Sequence, residues 1–249
     1  MSQQKEMSKR QLRRQQIRRK ETRGRLFGIG LVTLGAVFIA FLFIYPMFKP
    51  IAQVVTPQAI SRPNVKANAA GNLDAPIKIE EYGDFQCPHC QNFYLNTEPQ
   101  LMETYVTDGK VYFVYHSFGA FIGEESGNAA EAAYCAGDQN KFWEMHDMIF
   151  TNQTGENVGS FTDRRLIAFA QAIDGLDVNE FKSCYNDGKY KTLIDEDAKN
   201  GLAAGVKATP SFIMSYTVKG AAKLKIIEGA QGYDAFKQAI DAALAEIGT

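Results

Sequence analysis

Two cysteines separated by two residues, Cys87-Pro88-His89-Cys90, stand between a short apolar run ending at Phe85 and a long stretch of helical character beginning at Pro88. Thiols at this spacing, at the mouth of a helix, can close on each other and reopen, which makes them a two-electron redox pair. A helix start leaves several backbone N–H groups unpartnered, and together they carry about half a positive charge. A thiolate placed there is stabilised. Pro88 suits the first helical turn, because its φ is already helical and its missing N–H would have had no partner. His89 adds a second donor or a positive charge. Both effects lower the pKa of the outer sulfur, assigned to Cys87, from about 8.5 toward or below neutral, and the thiolate is the reactive form. Cys90, one turn further in, then acts as the resolving thiol.

Two other uses of such a pair compete. Half of a zinc site would need a second Cys-x-x-Cys or a His-x-x-x-His, and the chain has neither; Cys135 and Cys184 stand far apart. An inert structural disulfide across so small a loop gains little chain entropy and is usually strained.

The elements that must position the pair can be read from periodicity. Ile77 to Gly83 alternates β-branched and charged residues and predicts a strand, with Glu81 six residues before Cys87. Pro88 to Val106 predicts the helix that carries the motif, with Phe93, Leu95 and Leu101 as apolar contacts and a kink or split at Pro99. Lys110 to Phe118 predicts a second strand. Residues 119–206 show no strand period and several helical ones: Glu124 to Ala136, Lys141 to Thr151 with the single tryptophan, and Asp163 to Ile173 with Leu166, Phe169, Ala170 and Ile173 on one face. Asp177-x-x-Glu180 resembles a capping box, with Gly188 as the stop. His116 and His146 are given no catalytic role, and His146, between Met145 and Met148 on the tryptophan-containing helix, is read as a packing histidine. Thr209-Pro210 opens a strand from Ser211 to Val218, Lys219-Gly220 turns the chain into a last strand, Lys223 to Glu228, and Tyr233 to Ile247 closes with a helix.

The stretch Asn72 to Gln86, followed by Cys-Pro-His-Cys and by the later Ala208-Thr209-Pro210-Ser211-Phe212, resembles a DsbA-like thioredoxin-fold domain, from about residue 70 to the C-terminus. The resemblance implies an α/β thioredoxin fold with an inserted all-helical subdomain over about 119–206. It implies that Glu81 lies beneath the disulfide and relays the proton of the resolving cysteine, against the alternative of a solvated strand-edge glutamate beside Glu80. It implies a cis Pro210, with Thr209 presenting its backbone to an extended substrate. A proline at a strand entrance also has a plain use as an edge or turn residue.

Net charge is −1, but residues 1–25 carry +8, residues 49–69 carry +3, and residues 70–249 carry −12. The basic arm alone would suggest nucleic acid. The adjoining segment argues otherwise: residues 26–48 are 23 residues without a charge, enough as a helix to cross a bilayer's hydrocarbon core of about 30 Å. The arginine-rich flank then stays in the cytoplasm and sends the rest across. Cleavage as a signal peptide is the alternative, with Ala67-Asn68-Ala69 as the candidate site, some twenty residues beyond the apolar run. Residues 49–70, with Pro50, Pro57 and Pro63, read as a linker reaching about 25 Å. The remaining residues, 71–249, form the expected catalytic domain.

The expected protein is therefore a single-pass membrane protein with an extracytoplasmic thiol-disulfide oxidoreductase domain. No metal, nucleotide or flavin motif appears, so the disulfide is itself the redox group. Stabilising the Cys87 thiolate makes the reduced form favourable and the disulfide an oxidant, which points to an oxidase acting on exported cysteine-containing proteins. The resemblance implies a quinone-linked membrane partner, of the DsbB or vitamin K epoxide reductase kind, to renew it. Threonine before the cis-proline also occurs in isomerase-like and reducing members, so a reductase or isomerase stays open, as does an anchored peptide-binding module with only structural disulfides. Cys135 and Cys184 are left for each other, or remain two buried thiols; an oxidising compartment favours the bond.

Overall fold

The computed structural model describes residues 9–48 and 53–248. The remainder of the basic arm (1–8), residues 49–52 of the expected linker and the last residue lie outside the described residues. The chain divides into two units, one up to Ile51 and one from Ala52 onward.

In the first unit the described part of the basic arm and the apolar run form one continuous helix, α1 (Lys9–Phe48). Within it Ile17–Tyr45 is long and apolar enough to cross a membrane, and none of its most apolar window is buried within the protein.

The second unit is built on a sheet of five strands in the order β1-β3-β2-β4-β5. They are β1 (Ala69–Ala70), β2 (Ile77–Gly83), β3 (Val111–Ser117), β4 (Ser211–Val218) and β5 (Ala221–Glu228). β2 and β3 run parallel, and all other pairs are antiparallel. Strand alternation puts Ile77, Ile79 and Glu81 on one face of β2, and all three are buried. Val111, Phe113 and Tyr115 lie opposite them in register on β3.

The crossover from β2 to β3 carries the motif. It consists of α2 (Pro88–Asn96), α3 (Glu98–Leu101) and a wider π-type turn over Met102–Val106. The expected split occurs, and it falls at Thr97, between Asn96 and the short helix whose second residue is Pro99. Phe93 and Leu101 are buried as expected, but Leu95 is exposed, because it is turned about 200° from Phe93 around α2, away from the face that Cys90, Phe93 and Tyr94 bury. Phe93 packs on Phe212 of β4 and on Phe236 of the closing helix, α9 (Tyr233–Ile247).

Between β3 and β4 stand α4 (Glu124–Gly137), α5 (Phe142–Thr151), α6 (Asp163–Ala172), α7 (Val178–Asp187) and α8 (Lys191–Ala203), which form the helical subdomain. Asp177 caps α7 by accepting from the N–H groups of Asn179 and Glu180, and Gly188 ends it in a left-handed conformation. The reciprocal half of the capping box is taken by Gln139, whose Oε1 accepts the Asp177 N–H at 2.7 Å. Cys135 of α4 and Cys184 of α7 are joined by a disulfide across 49 residues. Cys135 is fully buried, whereas Cys184 is half-buried rather than on the innermost face with Phe181.

The expected free linker is corrected from residue 53 onward. Asn152 bonds both the N–H and the carbonyl of Val55 at 2.8 Å. Arg62 is buried in an ion-pair cluster, and β1 adds a short strand to the edge beside β3. This segment is a strap laid on the domain. Its backbone is satisfied by the Asn152 side chain at Val55 and by turn and strand pairings of Pro63 with Gly71, Lys66 with Ala69 and Asn68 with Tyr115.

Candidate active site

β2 delivers the chain to the motif through Gly83, where a Cβ would lie 2.8 Å from the Tyr115 ring. Only glycine allows that approach. Asp84 then braces the turn: its Oδ1 accepts from the Gln86 N–H at 2.8 Å and from the Ser126 hydroxyl at 2.6 Å, and its Oδ2 accepts from the Ile122 N–H at 3.1 Å. Burial, first among the influences on it, raises the pKa of Asp84 to about 6 despite these donors. Cys87 occupies the cap position of α2 in an extended conformation, and Pro88 is the first helical residue.

Cys87 is only 5 % exposed, so the outer sulfur is more covered than its position suggests, while Pro88 and His89 stand in solvent. Its protonated Sγ donates to the Thr209 carbonyl at 3.3 Å. The Cys87 thiol has its pKa lowered to about 5, chiefly by a hydrogen bond from the Cys90 thiol. Burial opposes the shift, and the Thr209 side chain and the backbone N–H groups of Cys90 and His89 reinforce it. The contribution of His89 thus comes through its backbone. Cys90 is fully buried, and burial followed by the neighbouring Cys87 pushes its thiol well up. Its Sγ accepts the Asp84 N–H at 3.4 Å. The two sulfurs are therefore strongly unequal, one a ready thiolate and the other a reluctant one.

Across from the motif, the Thr209-Pro210 bond is cis. The loop is pinned by the Ser211 hydroxyl donating to the Ala208 carbonyl at 2.7 Å and by the Gly229 N–H donating to the Pro210 carbonyl at 2.8 Å. These bonds hold the Thr209 carbonyl against Cys87 at the head of β4.

Glu81 is buried and is not a solvated edge residue; burial raises its pKa well above the usual carboxylate value, and the charge of Glu98 adds to the rise. Its Oε2 has no hydrogen-bond partner among the described residues. The charge on Glu81 in turn helps to raise Cys90. Beside it lies a cluster that sequence reasoning missed. Arg62 of the strap donates to Glu98 Oε1 at 2.6 Å and to both Asp147 oxygens, at 2.7 and 2.9 Å, with its guanidinium over the Trp143 ring at 4.4 Å. His146 bonds Asp147 through Nδ1 at 3.0 Å and is enclosed by the rings of Phe85, Tyr94, Tyr115, Trp143 and Phe150. The only sequence signal for Arg62 was a lone arginine in a segment without acids.

Residues 64–242 match the family model described as Thioredoxin. The chain belongs to the thioredoxin family. Among the relatives of this chain, "Probable disulfide bond formation protein D" of Bacillus cereus is 29 % identical over 177 residues, covering 70 % of this chain and 77 % of that one. The crystal structure of oxidised BdbD from Bacillus subtilis superposes with a TM-score of 0.63 at 22 % identity, covering 76 % of this chain and 99 % of that one. Wolbachia pipientis α-DsbA1 gives 0.62 at 23 % identity over 75 % and 94 % of the two chains, which confirms the DsbA-like fold with its helical insertion. Motif, fold and relatives make the protein a DsbA-like thiol-disulfide oxidoreductase.

Proposed function

We propose that the protein is an oxidase that donates a Cys87–Cys90 disulfide to exported cysteine-containing proteins, with its catalytic domain outside the cytoplasm. The observation that carries this is the inequality of the two sulfurs. A thiolate stabilised at Cys87, with a pKa of about 5, favours the reduced form and makes the disulfide the better oxidant.

The reaction begins when a substrate thiolate attacks Cys87 Sγ of the disulfide: a mixed disulfide forms, and the Cys87–Cys90 bond breaks. Cys90 leaves as a thiolate in a buried place that disfavours its charge, and the carboxylic acid of Glu81 supplies the proton. A second substrate thiolate then attacks the substrate sulfur and expels Cys87, whose low pKa makes it a good leaving group. The substrate gains a disulfide and the enzyme gains two electrons. The Thr209 carbonyl, beside Cys87 on the cis-Pro210 loop, pairs with the substrate backbone during the exchange. The disulfide is the redox group, and a quinone-linked membrane protein of the DsbB or vitamin K epoxide reductase kind accepts the electrons. The +8 arm ahead of the apolar part of α1 supports a cytoplasmic N-terminus.

A redox titration of the Cys87–Cys90 pair against glutathione tests the direction. The oxidase reading requires a potential well above the roughly −270 mV of thioredoxin; a value at or below that assigns a reductase instead. Insulin reduction with a Cys87→Ser control separates either enzyme from a peptide-binding module, which would show no thiol-dependent turnover.

A further inference from the structure

Three carboxylates are buried, Glu81 on β2, Glu98 on α3 and Asp147 on α5, and one permanent cation, Arg62, pairs with the last two. Three negative charges beside one permanent positive charge are disfavoured away from water, even with His146 bonded to Asp147, so a proton is held most readily by the carboxyl with the fewest donors. Geometry decides which. The Arg62 fork gives two bonds to Glu98 Oε1 and one to each Asp147 oxygen, and His146 Nδ1 adds another at Asp147 Oδ1. Glu81 receives none of these bonds. We propose that Arg62 is a positioning residue for the redox reaction: by holding Glu98 and Asp147 as anions, it leaves Glu81 as the carboxyl that carries the exchangeable proton.

The inference rests on the proposed role of Glu81 and deepens it. Pairs of acids whose surroundings drive their proton affinities apart divide the acid and base roles between them. The shifts agree in direction: Asp147 is lowered, with Arg62 and His146 together outweighing its burial, and Glu81 is raised by burial and then by Glu98. The charged and titratable groups that face Glu81 come from every surrounding element. They are Arg62 of the strap, Glu98 of α3, Cys87 and Cys90 of the motif, Tyr115 of β3, and Asp147 with His146 behind Arg62 on α5. Arg62 lies just before the region that matches the family model, so this chain's strap, and not the matched thioredoxin region, supplies the cation.

The test counts protonated carboxyls by infrared difference spectroscopy on the reduced full-length protein at neutral pH. Glu81→Gln should remove one carboxylic-acid band. Adding Arg62→Met to Glu81→Gln should bring a new band, because Glu98 or Asp147 must then take a proton, whereas adding Arg62→Lys should bring none. Separately, Glu98→Gln should lower the pH at which Glu81 ionises by roughly one unit or more. That variant leaves Arg62 paired with Asp147 and serves if Arg62→Met does not fold. No new band in a folded Arg62→Met/Glu81→Gln protein, or an unmoved Glu81 titration in Glu98→Gln, overturns the proposal. The relay reading fails by a different measurement: it is wrong if Glu81→Gln leaves the rate at which Cys90 resolves a mixed disulfide unchanged across pH.

Discussion

Cys87 draws its acidity from partners of three kinds: the Cys90 thiol, the Thr209 side chain and backbone N–H groups at the start of α2. Cys90→Ala should therefore raise the Cys87 pKa more than any other single change in the motif, as read from thiolate ultraviolet absorbance. His89→Ala keeps its backbone donor and should move the pKa less, a revision of the weight that the motif alone gave to the imidazole. The pH dependence has a definite sign. The folded pKa of about 5 lies well below that of an ordinary thiol, so the added stability of the reduced form is complete above the ordinary value and is lost as pH falls through 5. The reduction potential should accordingly fall by about 59 mV per pH unit below pH 5, where two protons follow two electrons, and by about 30 mV above it, where one does. A single slope through pH 5 would contradict the thiolate. Glu81 was legible only through the family resemblance, because its place beside Glu80 left a solvated strand edge open; in the fold it shares the buried face of β2 with Ile77 and Ile79. Arg62 was not legible, because an ion pair reaching 36 residues to Glu98 and 85 to Asp147 leaves no local pattern.

The strands and helices that carry the motif were readable, and three of them fall on their predicted limits: Ile77–Gly83, Ser211–Val218 and Tyr233–Ile247. Each has a strong period and a clear stop in glycine or a turn pair. α8 was not singled out, because its sequence is polar on most faces and it is held by a tertiary network. In that network His116 Nδ1 and the Tyr134 hydroxyl meet Asp197 at 3.0 and 2.6 Å, and His116 Nε2 meets Glu80 at 3.2 Å. Burial lowers the His116 pKa, but the two carboxylates outweigh it and raise the value to about 9. A raised histidine contributes stability that is complete below about 6.5 and lost as pH rises through 9, so His116→Gln should flatten the alkaline arm of the stability profile in thermal melts. The strap was read as a linker for the same reason that hid Arg62. Asn152→Ala removes both of its bonds to Val55, and limited proteolysis should then cut near residues 53–60 faster than in the parent. The Cys135–Cys184 bond ties α4 to α7, and Cys135→Ser/Cys184→Ser should cost about 2–5 kcal/mol in denaturant unfolding, with the motif's thiol chemistry retained.

For the whole chain, the asymmetry of charge predicts topology. Protease added to spheroplasts should digest the domain from residue 53 onward and spare the basic start of α1; protection of the domain would reverse the orientation and remove the oxidising setting that the oxidase reading needs. The division of labour among the four cysteines has a further result. A newly made chain leaves the ribosome with Cys135 and Cys184 as thiols, 49 residues apart, and closing them takes away two electrons. That is the reaction the motif is proposed to perform on others. Under the proposed oxidase function, young copies are substrates of mature ones, and each generation is finished by the generation before it. A cell emptied of the enzyme and then allowed to make it again starts without that inheritance. Its first copies must wait for some other oxidant, and recovery should begin with a lag that a small residue of mature protein abolishes.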